Sequence, residues 1–122
     1  MATPNIVGVT SIYGNSGGVE LTTNSPTGII SCPSSSNKIY KVNFIRCANV
    51  SGVSTADITV QLYKADTAST HNLALTIGVP ADSALVILDK DSSLYLREGD
   101  QIKAQASSAN VLNITSSWEE IN

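Results

Sequence analysis

From Lys38 to Glu120 the chain repeatedly alternates apolar and polar residues, and it nowhere holds the three-and-four spacing of an amphipathic helix. A period of two is what a strand needs when one of its faces lies on a core and the other meets solvent. The clearest cases are Ile58-Val60-Leu62, with Thr59 and Gln61 opposite, and Leu73-Leu75-Ile77-Val79. Two more are Ile102-Ala104-Ala106, against Lys103, Gln105 and Ser107, and Leu112-Ile114-Ser116-Trp118. Clusters of Gly, Pro, Asn, Asp and Ser separate these runs at close intervals, which is the spacing of an all-β sandwich or barrel. The expectation is an antiparallel β-sandwich, jelly-roll or immunoglobulin-like, with about seven or eight strands between Lys38 and Glu120.

Two segments depart from simple alternation. Lys38 to Asn49 carries Tyr40, Val42 and Phe44 on one parity and Ile39, Ile45 and Cys47 on the other, so a long central strand is expected. Leu85-Val86-Ile87-Leu88 is equally dense, which suggests burial on both sides. Residues 1–37 differ in character. Asn15-Ser16-Gly17-Gly18 and Pro33-Ser34-Ser35-Ser36-Asn37 read as turns, with short strands near Ile6–Tyr13 and Val19–Thr23. They form an N-terminal arm or edge strands beside a sandwich at 38–122. At 122 residues the whole reads as a single domain.

Charged residues are 14% of the chain, while Ser and Thr together supply 28 positions. Short hydroxyls compete with helical backbone bonds and suit exposed strands. So little surface charge also suits a protein packed against neighbours. The net charge is −3 and the seven basic residues are scattered singly, which argues against nucleic acid as a partner. The opening MATPNIVGVTSIYG lacks the basic flank and apolar run of a signal peptide, and no stretch is long enough to cross a membrane as a helix. Synthesis in a cytoplasm is therefore expected, with Cys32 and Cys47 as buried thiols.

Candidate chemistry is sparse. Asp89-Lys90-Asp91-Ser92-Ser93 opens like a calcium loop, but Leu94 stands where such a loop needs glycine, so a solvated turn is expected. His71 is the single histidine and sits in a polar stretch, Asp66 to Asn72, that reads as an exposed hairpin tip. Glu119 and Glu120 are adjacent and point to opposite faces of a strand, so they cannot flank one bond. The triplets at Asn49 and Asn113 match the glycosylation pattern at about the frequency chance provides. Trp118 is in phase with Leu112 and Ile114 and is expected to close the core rather than to bind sugar. No catalytic set, metal or cofactor is expected. Gly99, between Glu98 and Asp100, is a candidate positive-φ turn, and Pro80 should stop the strand before it.

From Lys38 to Ile121 the order of elements resembles a family of small virion proteins of tailed phages, in particular phages of cyanobacteria. The residues carrying the resemblance begin with Lys41-Val42, Ile45, Ala48-Asn49-Val50 and Gly52, then Ala56-Asp57-Ile58-Thr59-Val60 and Leu62-Tyr63. They continue with Val79-Pro80-Ala81-Asp82-Ser83, Leu85-Val86 and Leu88-Asp89-Lys90. Leu94-Tyr95-Leu96, Glu98-Gly99-Asp100, Ile102 and Trp118-Glu119-Glu120-Ile121 complete them. The resemblance implies a structural subunit of the virion, made in the host cytoplasm, with the major capsid protein or other virion proteins as partners. The reading it favours is a decoration or cement protein of the head, self-associated, with a trimer among the symmetries that fit. A tail, neck or fibre component, or a carbohydrate-binding module for host recognition, are the alternatives. Partner contacts are expected where the core pattern is missing: Ala2, Thr3, Pro4, Asn5, Ile6 and Val7, with Asn15, Ser16, Pro33 and Ser34.

Overall fold

The computed structural model describes Gly8 and residues 11–122, so the expected contacts at Ala2 to Val7 lie outside the described residues. Among the described residues nine strands follow one another: β1 (Ile12–Glu20), β2 (Thr27–Ser31), β3 (Ile39–Asn49), β4 (Ala56–Lys64) and β5 (Ser69–Val79), then β6 (Ala84–Leu88), β7 (Leu94–Leu96), β8 (Gln101–Ala106) and β9 (Leu112–Ile121). They form two antiparallel sheets. The first has the order β1-β9-β3-β6, with β7 pairing the start of β3, and the second has the order β2-β8-β4-β5. Setting aside the short β7, this interleaved order is a jelly roll, in which most connections cross from one sheet to the other. Apolar residues from both inner faces meet between the sheets, among them Leu21, Ile30, Ile45, Ile58, Leu96, Ile102, Leu112 and Ile114.

Seven strands lie between Ile39 and Ile121, and the N-terminal segment adds an outer strand to each sheet. Its internal layout differs from the expectation. Asn15-Ser16-Gly17-Gly18 is no turn but the middle of β1, which pairs with β9 in unbroken register from Ile12↔Ile121 to Glu20↔Asn113. Local turn propensity is overridden because β9 offers a full row of backbone partners. Val19–Thr23 is not a separate strand either. Leu21 leaves β1 to enter the core, and the second N-terminal strand is Thr27–Ser31. Because β2 and β3 lie in different sheets, the turn at Pro33–Asn37 is a crossing between sheets.

The mixed parity of Lys38–Asn49 has a specific cause. The β3–β9 register shifts between Val42 and Phe44, leaving Asn43 as the extra residue of a bulge. Tyr40 and Val42 before it, and Ile45 and Cys47 after it, are all buried although their parities differ. Register shifts also accompany two departures elsewhere. The β4–β5 register slips twice, and Leu73, Leu75 and Ile77 are 36%, 58% and 42% exposed while Ala74 and Val79 are buried. So the alternation read in β5 does not place those three on the core. Leu85–Leu88 is an edge strand rather than a doubly buried one, with Val86 53% exposed.

Candidate functional site

Buried carboxylates and backbone bonds converge at the end of the sandwich where β2 gives way to β3 and β7 turns into β8. Gly99, with φ +86°, makes the turn possible, and a Cβ there would sit 2.8 Å from the Cβ of Ala65. The turn is tied to the inter-sheet crossing by two backbone bonds: Gly99 N–H donates to the Cys32 carbonyl at 2.9 Å and Cys32 N–H to the Asp100 carbonyl at 3.0 Å. The acids flanking the glycine point inward. Asp100 is fully buried and accepts from the Lys64 ammonium at 2.8 Å, from the Ala65 amide at 2.9 Å and from the Arg97 amide at 3.0 Å. Burial pushes its pKa up, but these donors outweigh that, and the carboxyl is held below its ordinary value. Glu98 is 1% exposed. One of its oxygens accepts from the Asn37 amide at 3.3 Å while the other has no hydrogen-bond partner.

A second polar cluster lies beside the first, across β1, β9 and β3. Glu120 accepts from Lys38 at 2.5 Å and from the Tyr40 hydroxyl at 3.3 Å, and the Asn15 side chain bonds the same carboxylate. The Lys38 bond is the main reason that Glu120 is held below its ordinary pKa. Burial, with Glu120 nearby, pushes Tyr40 up to about 12. Tyr40 stacks on Trp118 with ring centroids 6.3 Å apart, and a Cβ at Gly17 would meet the Trp118 ring at 3.2 Å. Trp118 thus packs between strand residues instead of offering an open platform.

Of the residues expected to meet partners, Asn15 and Ser16 lie on β1, and Pro33 and Ser34 are exposed on the crossing loop. Glu120 links the two places, since it binds Asn15 directly and Lys38 at the end of that loop. Ser36 closes the loop by donating to the Pro33 carbonyl at 2.7 Å. At the other end of the sandwich Pro80 follows β5, and its carbonyl accepts from Ser83 N–H at 3.1 Å.

The remaining candidates serve the fold. Asp89 accepts from the amides of Asp91 and Ser92 and from the Ser92 hydroxyl, capping a single 3-10 turn. Among the described residues no group of three His, Cys, Asp or Glu side chains could hold a metal ion. His71 is exposed on β5, beyond the turn at 65–68 rather than at its tip, with Ser69 Oγ 3.2 Å from its Nε2. Asn49 is buried, and its amide donates to the Ser54 and Val79 carbonyls at 2.9 and 2.8 Å, fixing the β3–β4 connection. Cys32 and Cys47 are separate buried thiols, each pushed up to about 11 chiefly by burial. A depression of about 220 Å³ lined by Asp57, Thr59, Thr76, Gln105 and Ser107 is smaller than usual small-molecule sites.

Sequence reasoning missed the buried acids, although two carboxylates astride a glycine in a chain so poor in charge were a signal. No family model matches the sequence, and no curated protein matches it. Among solved structures the chain is similar to a protein of Bacillus endospore appendages, described as a novel family of disulfide-linked pili. The TM-score is 0.53 at 16% identity, over 98% of this chain and 95% of that one. It is also similar, more weakly, to a pentameric capsid protein from metagenomic phage sequences. Two structures of that protein give TM-scores of 0.40 and 0.39 at 20% and 18% identity. Each aligns with 86% of this chain but only 60% and 59% of its own. The full-length match fixes the fold, and at that identity it fixes the fold alone.

Proposed function

We propose that this protein is a structural subunit of a tailed-phage particle, a decoration or cement protein that self-associates and binds across coat subunits of the head. The observation that carries this reading is the pinned crossing loop. Pro33 and Ser34 are exposed, yet the Cys32 end of their loop is fixed to the Glu98–Asp100 turn by backbone bonds. An exposed polar loop that is already ordered loses little entropy on docking, and low surface charge lowers the cost of desolvation. Stable association takes roughly 1,200–2,000 Å² of buried surface, and many symmetry-related copies add avidity.

The contact residues in this reading are Ala2, Thr3, Pro4, Asn5, Ile6 and Val7 together with Asn15, Ser16, Pro33 and Ser34. Chemistry on a substrate has no part in it. Quantitative mass spectrometry of purified particles tests it directly: a head decoration protein is present in hundreds of copies, whereas a tail, neck or fibre component is present in few. Deleting residues 2–11 should sharply lower occupancy on the head. Unchanged occupancy would remove that segment from the interface.

A further inference from the structure

The two sheets have outer strands of very different kinds. β2 and β6 are five residues long, each has a register shift, and Pro26 and Pro80 stand just before them or in the turn leading in. β5 is long but slips register twice, with Thr76 at φ +46°. Short length, bulges and proline are how natural sheets keep their edges from pairing with other chains. β1 has none of these. It runs nine residues in unbroken register, without proline, lysine or arginine, and its single charge is Glu20 at one end.

The phase of the ladder shows what β1 leaves open. Ser11 and Asn122 exchange both backbone bonds, at 3.1 Å each, and Leu21 donates to Leu112 at 3.0 Å. Odd-numbered residues therefore bond to β9, and Ile12, Gly14, Ser16, Gly18 and Glu20 direct their N–H and C=O groups away from it. Those five residues are exposed, and among the described residues β1 pairs with β9 alone.

The glycines carry the argument further. Gly17 has an internal reason, since a side chain there would press on Trp118, but Gly14 and Gly18 have nothing within 4 Å of an added Cβ. Neither glycine is required by packing within the chain, and neither places a side chain over the face of the sheet beside the open edge. We propose that β1 pairs antiparallel with β1 of a second copy about a two-fold axis at Ser16. In that register Ser16 meets Ser16, Gly14 faces Gly18, Tyr13 faces Val19, and the two Glu20 side chains lie at opposite ends. Every outward backbone group of β1 then has a partner, and the sheets of two copies become one. Each Glu20 then faces Ile12 of the other copy and not its own counterpart, so the open edge is complementary to itself in both backbone phase and charge, which makes a second copy of this chain the occupant. Pairing of one strand with itself closes at two copies, unlike the trimer that the sequence allowed. It holds whichever particle the protein belongs to.

Sedimentation equilibrium on the purified full-length chain tests this, with two variants. Ser16→Pro removes an outward N–H on an outer strand, where proline is tolerated because the extended backbone suits its fixed φ, so it should raise the dimer dissociation constant at least about tenfold while the monomer still folds. Ser16→Cys should oxidise to a cross-linked dimer, because facing Cα atoms in a bonded pair lie about 5.5 Å apart, within disulfide reach. Glu20→Cys, whose counterpart would be at the far end of the ladder, should stay uncross-linked. A monomeric or trimeric wild type, an unchanged dimer in Ser16→Pro, or cross-linking at 20 in place of 16 would each overturn the proposal.

Discussion

The Glu98–Asp100 turn and the outer edge of β1 are opposite solutions to one problem, how to satisfy backbone and polar groups that the core cannot use. At the turn nearly every group finds a partner inside the chain: Asp100 alone accepts from one ammonium and two amides. On β1, five residues hold their backbone groups toward solvent, and three of the strand's nine residues are glycine. Changes at the turn should therefore fall on stability, and changes along the edge on association.

Asp100→Ala is the largest test of that division. It leaves two amides and the partly exposed Lys64 without their acceptor, and stranding buried donors in this way costs about 2–4 kcal/mol in total. Urea unfolding should show that loss, and an unchanged midpoint would mean the carboxylate does not pin the turn. Gly99→Val comes next. A positive φ costs a β-branched residue about 1–2 kcal/mol, and the contact with Ala65 adds to it, so the melting temperature should fall by several degrees.

Acid should act at the turn and at the neighbouring Glu120 cluster. The pKa values of Asp100 and Glu120 are lowered by folding, so their contribution to stability is complete above the ordinary carboxylate range, about 4. It is lost as the pH falls through their depressed values. The acid limb of a stability–pH curve should flatten in Asp100→Asn, and an identical limb would assign acid sensitivity to other groups.

The smallest effects separate neighbouring glycines on β1. Gly17→Val presses on the Trp118 ring, which must shift by a few tenths of an ångström, and should cost roughly 1 kcal/mol. Gly18→Val meets nothing within the chain and should leave monomer stability within about 0.5 kcal/mol. Equal losses at both positions would mean that the edge is not free within the chain, and the contrast between turn and edge would fail.

Much of this was legible because strand alternation reports burial directly. Ile58-Val60, Ile102-Ala104-Ala106 and Leu112-Ile114 sit in the core as their parity requires. Departures from simple alternation cluster where register slips. Asn43 adds one residue to β3 and puts both parities on the core, whereas the slips along β5 leave Leu73, Leu75 and Ile77 at the surface. A bulge has no composition of its own, since it depends on how many residues the neighbouring strand offers. The same holds for Asn15–Gly18, a turn by local chemistry and a strand only because β9 lies alongside. Of the candidate site, Pro33 and Ser34 could be found as an exposed loop, but its attachment to Glu98–Asp100 spans more than sixty residues and leaves no local trace.

The sequence by itself determined an all-β sandwich, the approximate number of strands from Lys38 onward and the turn at Gly99, because these follow from period-two burial and from backbone conformations that single residues permit. Tertiary structure alone decided the jelly-roll order, the burial of Glu98 and Asp100, and which strand was left with an open edge. Those are matters of which strand lies beside which. Pairing between distant strands is set by the packing of the whole, and the residues of one strand do not name their neighbour.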